Sequence, residues 1–110
     1  MLVNVNPSTS VNIAEDLRSP KTTATVLATT TVAVALEVNA VRANYSIYNA
    51  GSSTVFVREG TEVTSTLYDL QIPPGFYWKE EFLTSRYTGV VSVITESGTA
   101  SLMVSEGSLI

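Results

Sequence analysis

Glu59, Glu62 and Asp69 form the tightest group of acidic side chains in the chain, and carboxylates are what a hard cation or a general acid–base pair would need. A calcium loop wants several oxygens converging at fixed spacing, and 59, 62 and 69 match no such spacing. These residues therefore read as a solvated turn. A glycosidase pair would need one carboxyl in an apolar pocket at a set distance from the other, which this spacing does not indicate. Serine and threonine hydroxyls are abundant, 28 in all, but the chain has no histidine and no cysteine. A nucleophilic serine would then need a lysine base, and Lys21 and Lys79 sit in no recognisable motif. The expectation is a protein that is not an enzyme and has no cofactor or metal site.

The aromatic residues carry more information. Tyr45, Tyr48, Tyr77, Trp78 and Tyr87 are candidates for a contact surface, since tyrosine and tryptophan are enriched in interfaces. A sugar-stacking platform and an ordinary core are the competing readings. Tyr77 and Trp78 are adjacent, so on a strand they point to opposite faces and one of them is expected to face outward.

The elements that must hold these side chains are strands. Val32, Val34, Leu36 and Val38 alternate with Thr31, Ala33, Ala35 and Glu37 at a period of two. Val41, Ala43, Tyr45 and Ile47 alternate with Arg42, Asn44, Ser46 and Tyr48. Asn49-Ala50-Gly51-Ser52-Ser53 has turn chemistry, so 41–58 reads as a hairpin closing on Thr54–Arg58. Pro73-Pro74-Gly75 is the strongest breaker. Strands are expected at Phe76–Phe82, at Val90–Thr95 and at Ala100–Glu106, the last with Ala100, Leu102 and Val104 inward. Six or seven strands with no crossover helix predict an all-β fold, an antiparallel β-sandwich or barrel that is jelly-roll-like.

Residues 1–28 differ in composition and predict an N-terminal arm or extended segment, leaving 29–110 as the β-sandwich domain. A frayed terminus is the alternative for the first part of that segment. The net charge is −4 and the six Lys and Arg are scattered, so no basic footprint for nucleic acid is present. No signal peptide is evident at the N-terminus, and the apolar stretch from Val26 to Val38 is too short and too polar to cross a bilayer. Val90–Ile94 and Val32–Val38 are apolar on both faces, which predicts a homo-oligomer.

Several pieces, in this order, resemble a known family. They are Arg42-Ala43-Asn44-Tyr45-Ser46-Ile47-Tyr48-Asn49, Gly51-Ser52-Ser53-Thr54-Val55-Phe56-Val57 and Ile72-Pro73-Pro74-Gly75-Phe76-Tyr77. Tyr87-Thr88-Gly89-Val90-Val91 and Gly98-Thr99-Ala100-Ser101-Leu102-Met103-Val104-Ser105-Glu106 complete the set. Residues 42–106 are similar to small virion proteins of tailed phages, common among phages of cyanobacteria and their relatives. The resemblance implies a virion protein on the capsid surface, a decoration or cement protein. Its implied partners are the major capsid protein and further copies of itself, with a trimer preferred. The alternatives are a receptor- or carbohydrate-binding module of a phage tail, or another head–tail structural protein. The family has no catalytic residues to transfer, and the first 40 residues fall outside the likeness.

Overall fold

The computed structural model describes residues 21–81 and 86–109. The arm expected over residues 1–20 lies outside the described residues. The described residues form eight strands: β1 Thr22–Ala28, β2 Ala33–Leu36, β3 Arg42–Asn49, β4 Val55–Glu59, β5 Leu70–Ile72, β6 Tyr77–Glu81, β7 Val91–Thr95 and β8 Ala100–Ser108. They form two four-stranded sheets, ordered β1-β8-β3-β6 and β2-β7-β4-β5, with every pairing antiparallel. The first strand pairs with the last, the second with the seventh, the third with the sixth and the fourth with the fifth. That nesting is a jelly roll, two antiparallel sheets wrapped from one long doubled chain. The antiparallel β-sandwich expected from strand spacing is the fold.

The core lies between the sheets. Ile47, Leu102 and Val104 come from one sheet and Val55, Val57, Ile72, Val91 and Val93 from the other. Each such side chain contributes roughly 1.5–3 kcal/mol through removal from water. In β8 the inward set is Ala100, Leu102 and Val104, as alternation predicts, while Met103 faces out.

Four readings change. First, Thr22–Ala28 is not arm: β1 pairs with β8 over its whole length, from Thr22↔Glu106 to Ala28↔Ala100. The sandwich therefore begins before residue 29. Second, 41–58 is not a hairpin, because β3 and β4 belong to different sheets. The connection crosses between sheets at Asn49, which is fully buried. Its Nδ2 donates to Ser53 O at 2.7 Å and Ile72 O at 2.8 Å, and Gly51 N donates back to its Oδ1. Gly51 must be glycine, since a Cβ there would stand 2.5 Å from Ala100 Cα. Third, the phase of β2 is reversed. A bulge between Val34 and Leu36 puts Ala35 and Leu36 both inward and leaves Val32, Val34 and Val38 exposed. Fourth, the outer face of β7 is partly covered within the chain, with Ser92 fully buried and Ile94 half-buried. The segment after β4 folds over the outside of this sheet: Tyr68 meets the Phe56 ring at 5.0 Å, and the Ser92 hydroxyl donates to Gly60 O at 2.6 Å. Val63, in the same segment, is fully buried.

Arg42, expected on a polar face, is fully buried. The register of β3 against β8 shifts between Arg42 and Asn44. The guanidinium reaches Glu106 Oε2 at 2.7 Å, Tyr87 O at 3.0 Å, Gly89 O at 2.9 Å and Glu37 O at 2.6 Å. Arg42→Ala strands Glu106 and three carbonyls without their donor and is expected to remove about 3–5 kcal/mol of stability, read from urea unfolding. Arg42→Lys is expected to recover little, because an ammonium lacks the planar fork that reaches four acceptors. A loss under ~1 kcal/mol for Arg42→Ala would contradict this account.

Candidate functional site

The outer face of the β1-β8-β3-β6 sheet is uncovered among the described residues. Strand register places Thr25, Met103, Tyr48 and Tyr77 in one row across all four strands. Tyr77 is 69% exposed, and Tyr48 and Met103 are each 42% exposed. Phe76, beside Tyr77, and Leu27, at the far edge, are exposed too. The next row, Thr23, Ser105, Ser46 and Lys79, is polar, with Thr23 and Ser105 hydroxyls 2.9 Å apart. Lys21, Ser46, Tyr48, Tyr77 and Lys79 border a shallow recess of about 350 Å³. The face thus combines exposed aromatic area with hydroxyls and two cations. Such a face suits a contact with another macromolecule, because tyrosine offers large apolar area at low conformational cost.

A second concavity opens on the flank, where the edge strands β6 and β5 do not pair. It holds about 420 Å³ and is lined by Tyr45, Val57, Glu59, Asp69, Leu70, Trp78 and Glu80. Trp78 pairs with buried Ile47, so it turns toward the inside of the sandwich but remains 39% exposed at this opening. The Tyr45 hydroxyl donates to Glu59 Oε2 at 3.0 Å, and Glu59 N donates to Asp69 Oδ2 at 2.8 Å. Glu59 and Asp69 are thus brought together by β4 and the approach to β5, whereas the neighbouring Arg58 binds the Glu62 carbonyl. The acidic residues are tied into the fold more than a solvated turn requires.

The five aromatic candidates divide. Tyr48 and Tyr77 lie on the open face. Trp78 lies in the flank cleft, opposite in direction to Tyr77, as adjacency on a strand demands. Tyr45 does not belong to a contact surface: it is 2% exposed and its ring sits in the core. Tyr87 is half-buried against the core, and its hydroxyl is used within the chain, donating to Val90 O at 2.6 Å. Leu27, Met103 and the two lysines are the additions. Alternation in β8 already pointed Met103 outward. Leu27 was hidden by the reading of residues up to 28 as an arm.

No family model matches the chain, and no curated protein matches it. One solved structure is similar, from work titled "Bacillus endospore appendages form a novel family of disulfide-linked pili". It is 14% identical, with 84% of this chain and 87% of that chain covered, at a TM-score of 0.45. A likeness of that degree carries no functional statement.

Burial first, and then the charge of Glu59, push the Tyr45 phenol far above its ordinary value. The folded state therefore keeps this proton at a pH where the unfolded chain has released it. The stabilising contribution is complete below about pH 10, the ordinary tyrosine value, and is lost as pH rises beyond it. Urea midpoints are expected to fall above about pH 10, and less steeply in Tyr45→Phe than in the parent. Tyr45→Phe also loses the bond to Glu59, about 1 kcal/mol at neutral pH. An equally steep alkaline decline in both proteins would remove Tyr45 as its cause.

Proposed function

We propose that this chain is a structural, non-enzymatic virion protein that decorates a phage capsid and stabilises it by bridging capsid subunits. The observation that carries this reading is the asymmetry of the two sheets. One outer face is covered over β4 and the middle of β7 by the chain's own segment after β4, with Phe56 against Tyr68 and Ser92 against Gly60. The other presents Tyr77, Tyr48 and Met103 in one uncovered row. An exposed aromatic row of this kind suits lateral contact with a large surface, and a shell supplies one. The capsid as the setting comes from the resemblance of residues 42–106 to small tailed-phage virion proteins. The proposed partners are the major capsid protein and further copies of this chain, in the three-fold arrangement the resemblance implies.

A second reading has its own observation. The flank cleft sets Trp78 beside Glu59, Asp69 and Glu80. An indole face can stack on a sugar ring while carboxylates accept from its hydroxyls, which fits a receptor- or carbohydrate-binding module of a phage tail.

Particles lacking this chain are expected to release their genome at a lower temperature than complete ones. Adding the purified protein back should restore resistance in a saturable way. The double variant Tyr48→Ala/Tyr77→Ala should fold normally, since both side chains are exposed, yet bind such particles at least about thirtyfold more weakly, some 2 kcal/mol. Equal robustness without the chain, together with failure to adsorb to host cells, would replace cement with receptor binding. In that event Trp78→Ala should be the damaging change.

A further inference from the structure

Each sheet has two edges, and the four edges are not alike. β5 is three residues long and runs directly into Pro73-Pro74. β2 has four residues and carries a bulge. β6 bears Lys79, Glu80 and Glu81 in succession, with Lys79 and Glu81 joined at 3.1 Å. Shortness, proline, bulges and charge are the devices that keep a sheet edge from pairing with another chain. β1 has none of them. Thr22-Thr23-Ala24-Thr25-Val26-Leu27-Ala28 is seven residues long, uncharged and rich in β-branched side chains. It pairs with β8 in unbroken register, with no bulge. Among the described residues no strand pairs with its outer edge.

We infer that β1 is a strand-addition edge whose occupant is β1 of a second copy, paired antiparallel about a two-fold axis. The occupant follows from the same inventory. A contact between sheet edges needs two open edges, and among the described residues only β1 is open, so the copy must present its own β1. Full overlap of the two strands centres the axis on Thr25. It sets Thr25 opposite Thr25, Ala24 opposite Val26, Thr23 opposite Leu27 and Thr22 opposite Ala28. These pairings keep residues of one face together, because paired positions are both odd or both even. No charge meets a like charge anywhere along the strand. Leu27, 58% exposed, gains a neighbour in the partner's Thr23.

The consequence is an eight-stranded sheet with one continuous outer face. Thr25 stands in the row of Met103, Tyr48 and Tyr77, so the axis joins that row to its equal on the second copy. Pairing at the β1 edge does not depend on what the face binds. It therefore stands or fails separately from the capsid reading. It is a pairwise contact, and it links copies two by two within whatever larger arrangement they adopt.

The test is sedimentation equilibrium of the full chain at neutral pH. The parent is expected to be a dimer at micromolar concentration. Thr25→Lys and Thr25→Glu, each alone, place like charges directly opposite and should weaken dimerisation at least about tenfold. An equimolar mixture of the two should dimerise again, which a merely misfolded variant cannot do. Register has its own check. Thr23→Lys/Leu27→Glu should remain dimeric at low salt, whereas Thr23→Lys/Leu27→Lys should not. A parent that is monomeric, or an oligomer indifferent to the charges at Thr25, overturns the proposal. So does a pair of variants with native β-type circular dichroism whose mixture stays monomeric.

Discussion

A buried guanidinium holds this fold in register. Arg42 stands at the start of β3, where the chain returns from β2, and it has lost its water completely. An unpaired charge in that position would cost several kcal/mol, so its neighbours must be acceptors. They come from three separate parts of the chain: Glu37 O after β2, Tyr87 O and Gly89 O before β7, and the Glu106 carboxylate on β8. Arg86 adds a bond from its own guanidinium to Arg42 O at 3.1 Å. One side chain thereby ties the connections of one sheet to a central strand of the other. The shift of register beside it lets a residue with outward alternation reach inward. The jelly roll could close around apolar side chains alone, but the geometry of this end follows from Arg42.

The opposite end is held by neutral groups. Asn49 is as buried as Arg42 and fills the same need with an amide, which satisfies Ser53 O, Ile72 O and the Gly51 N–H. Buried polar groups of this kind must be fully bonded to be tolerated. Gly51 then passes against Ala100 where no side chain fits. With both ends pinned, the two sheets face each other in one way, and their outer surfaces acquire different fates. One is partly covered by the chain itself, over Phe56 and Ser92, while Val34 stays exposed. The other is left with tyrosines, a methionine, hydroxyls and, among the described residues, an open edge. A domain with exposed aromatic area of this kind is shaped for a neighbour.

Much of the strand content could be read directly. β8 alternates cleanly, and its inward residues are the buried ones. The breaker Pro73-Pro74-Gly75 falls between β5 and β6 as expected. β1 was legible only in retrospect. Thr22–Ala28 has no alternation of large apolar and polar residues, because its outward face is Thr23, Thr25 and Leu27 and its inward face is largely threonine and alanine. The face that makes up the candidate site was half visible: Tyr48 and Tyr77 by residue type, Met103 by alternation. Trp78 was visible as an aromatic, but its cleft was not, since that opening exists only because two edge strands diverge. Tyr45 looked like Tyr48 in sequence, and a shift of three positions along one strand put it in the core.

Local chemistry in the chain thus determined the β class, the turns at glycine and proline, and the opposed directions of Tyr77 and Trp78. These depend on steric preference and on the two-residue period of a strand, and both act between near neighbours. Tertiary structure alone decided which strands share a sheet, that β3 and β4 part company, that Arg42 and Tyr45 are buried, and that β1 stands at the edge of its sheet. Those outcomes rest on pairing between distant residues, such as Thr22 with Glu106, and on desolvation that no short window of sequence records. A strand states its own alternation, but which of its sides meets water is settled by what the rest of the chain brings to it.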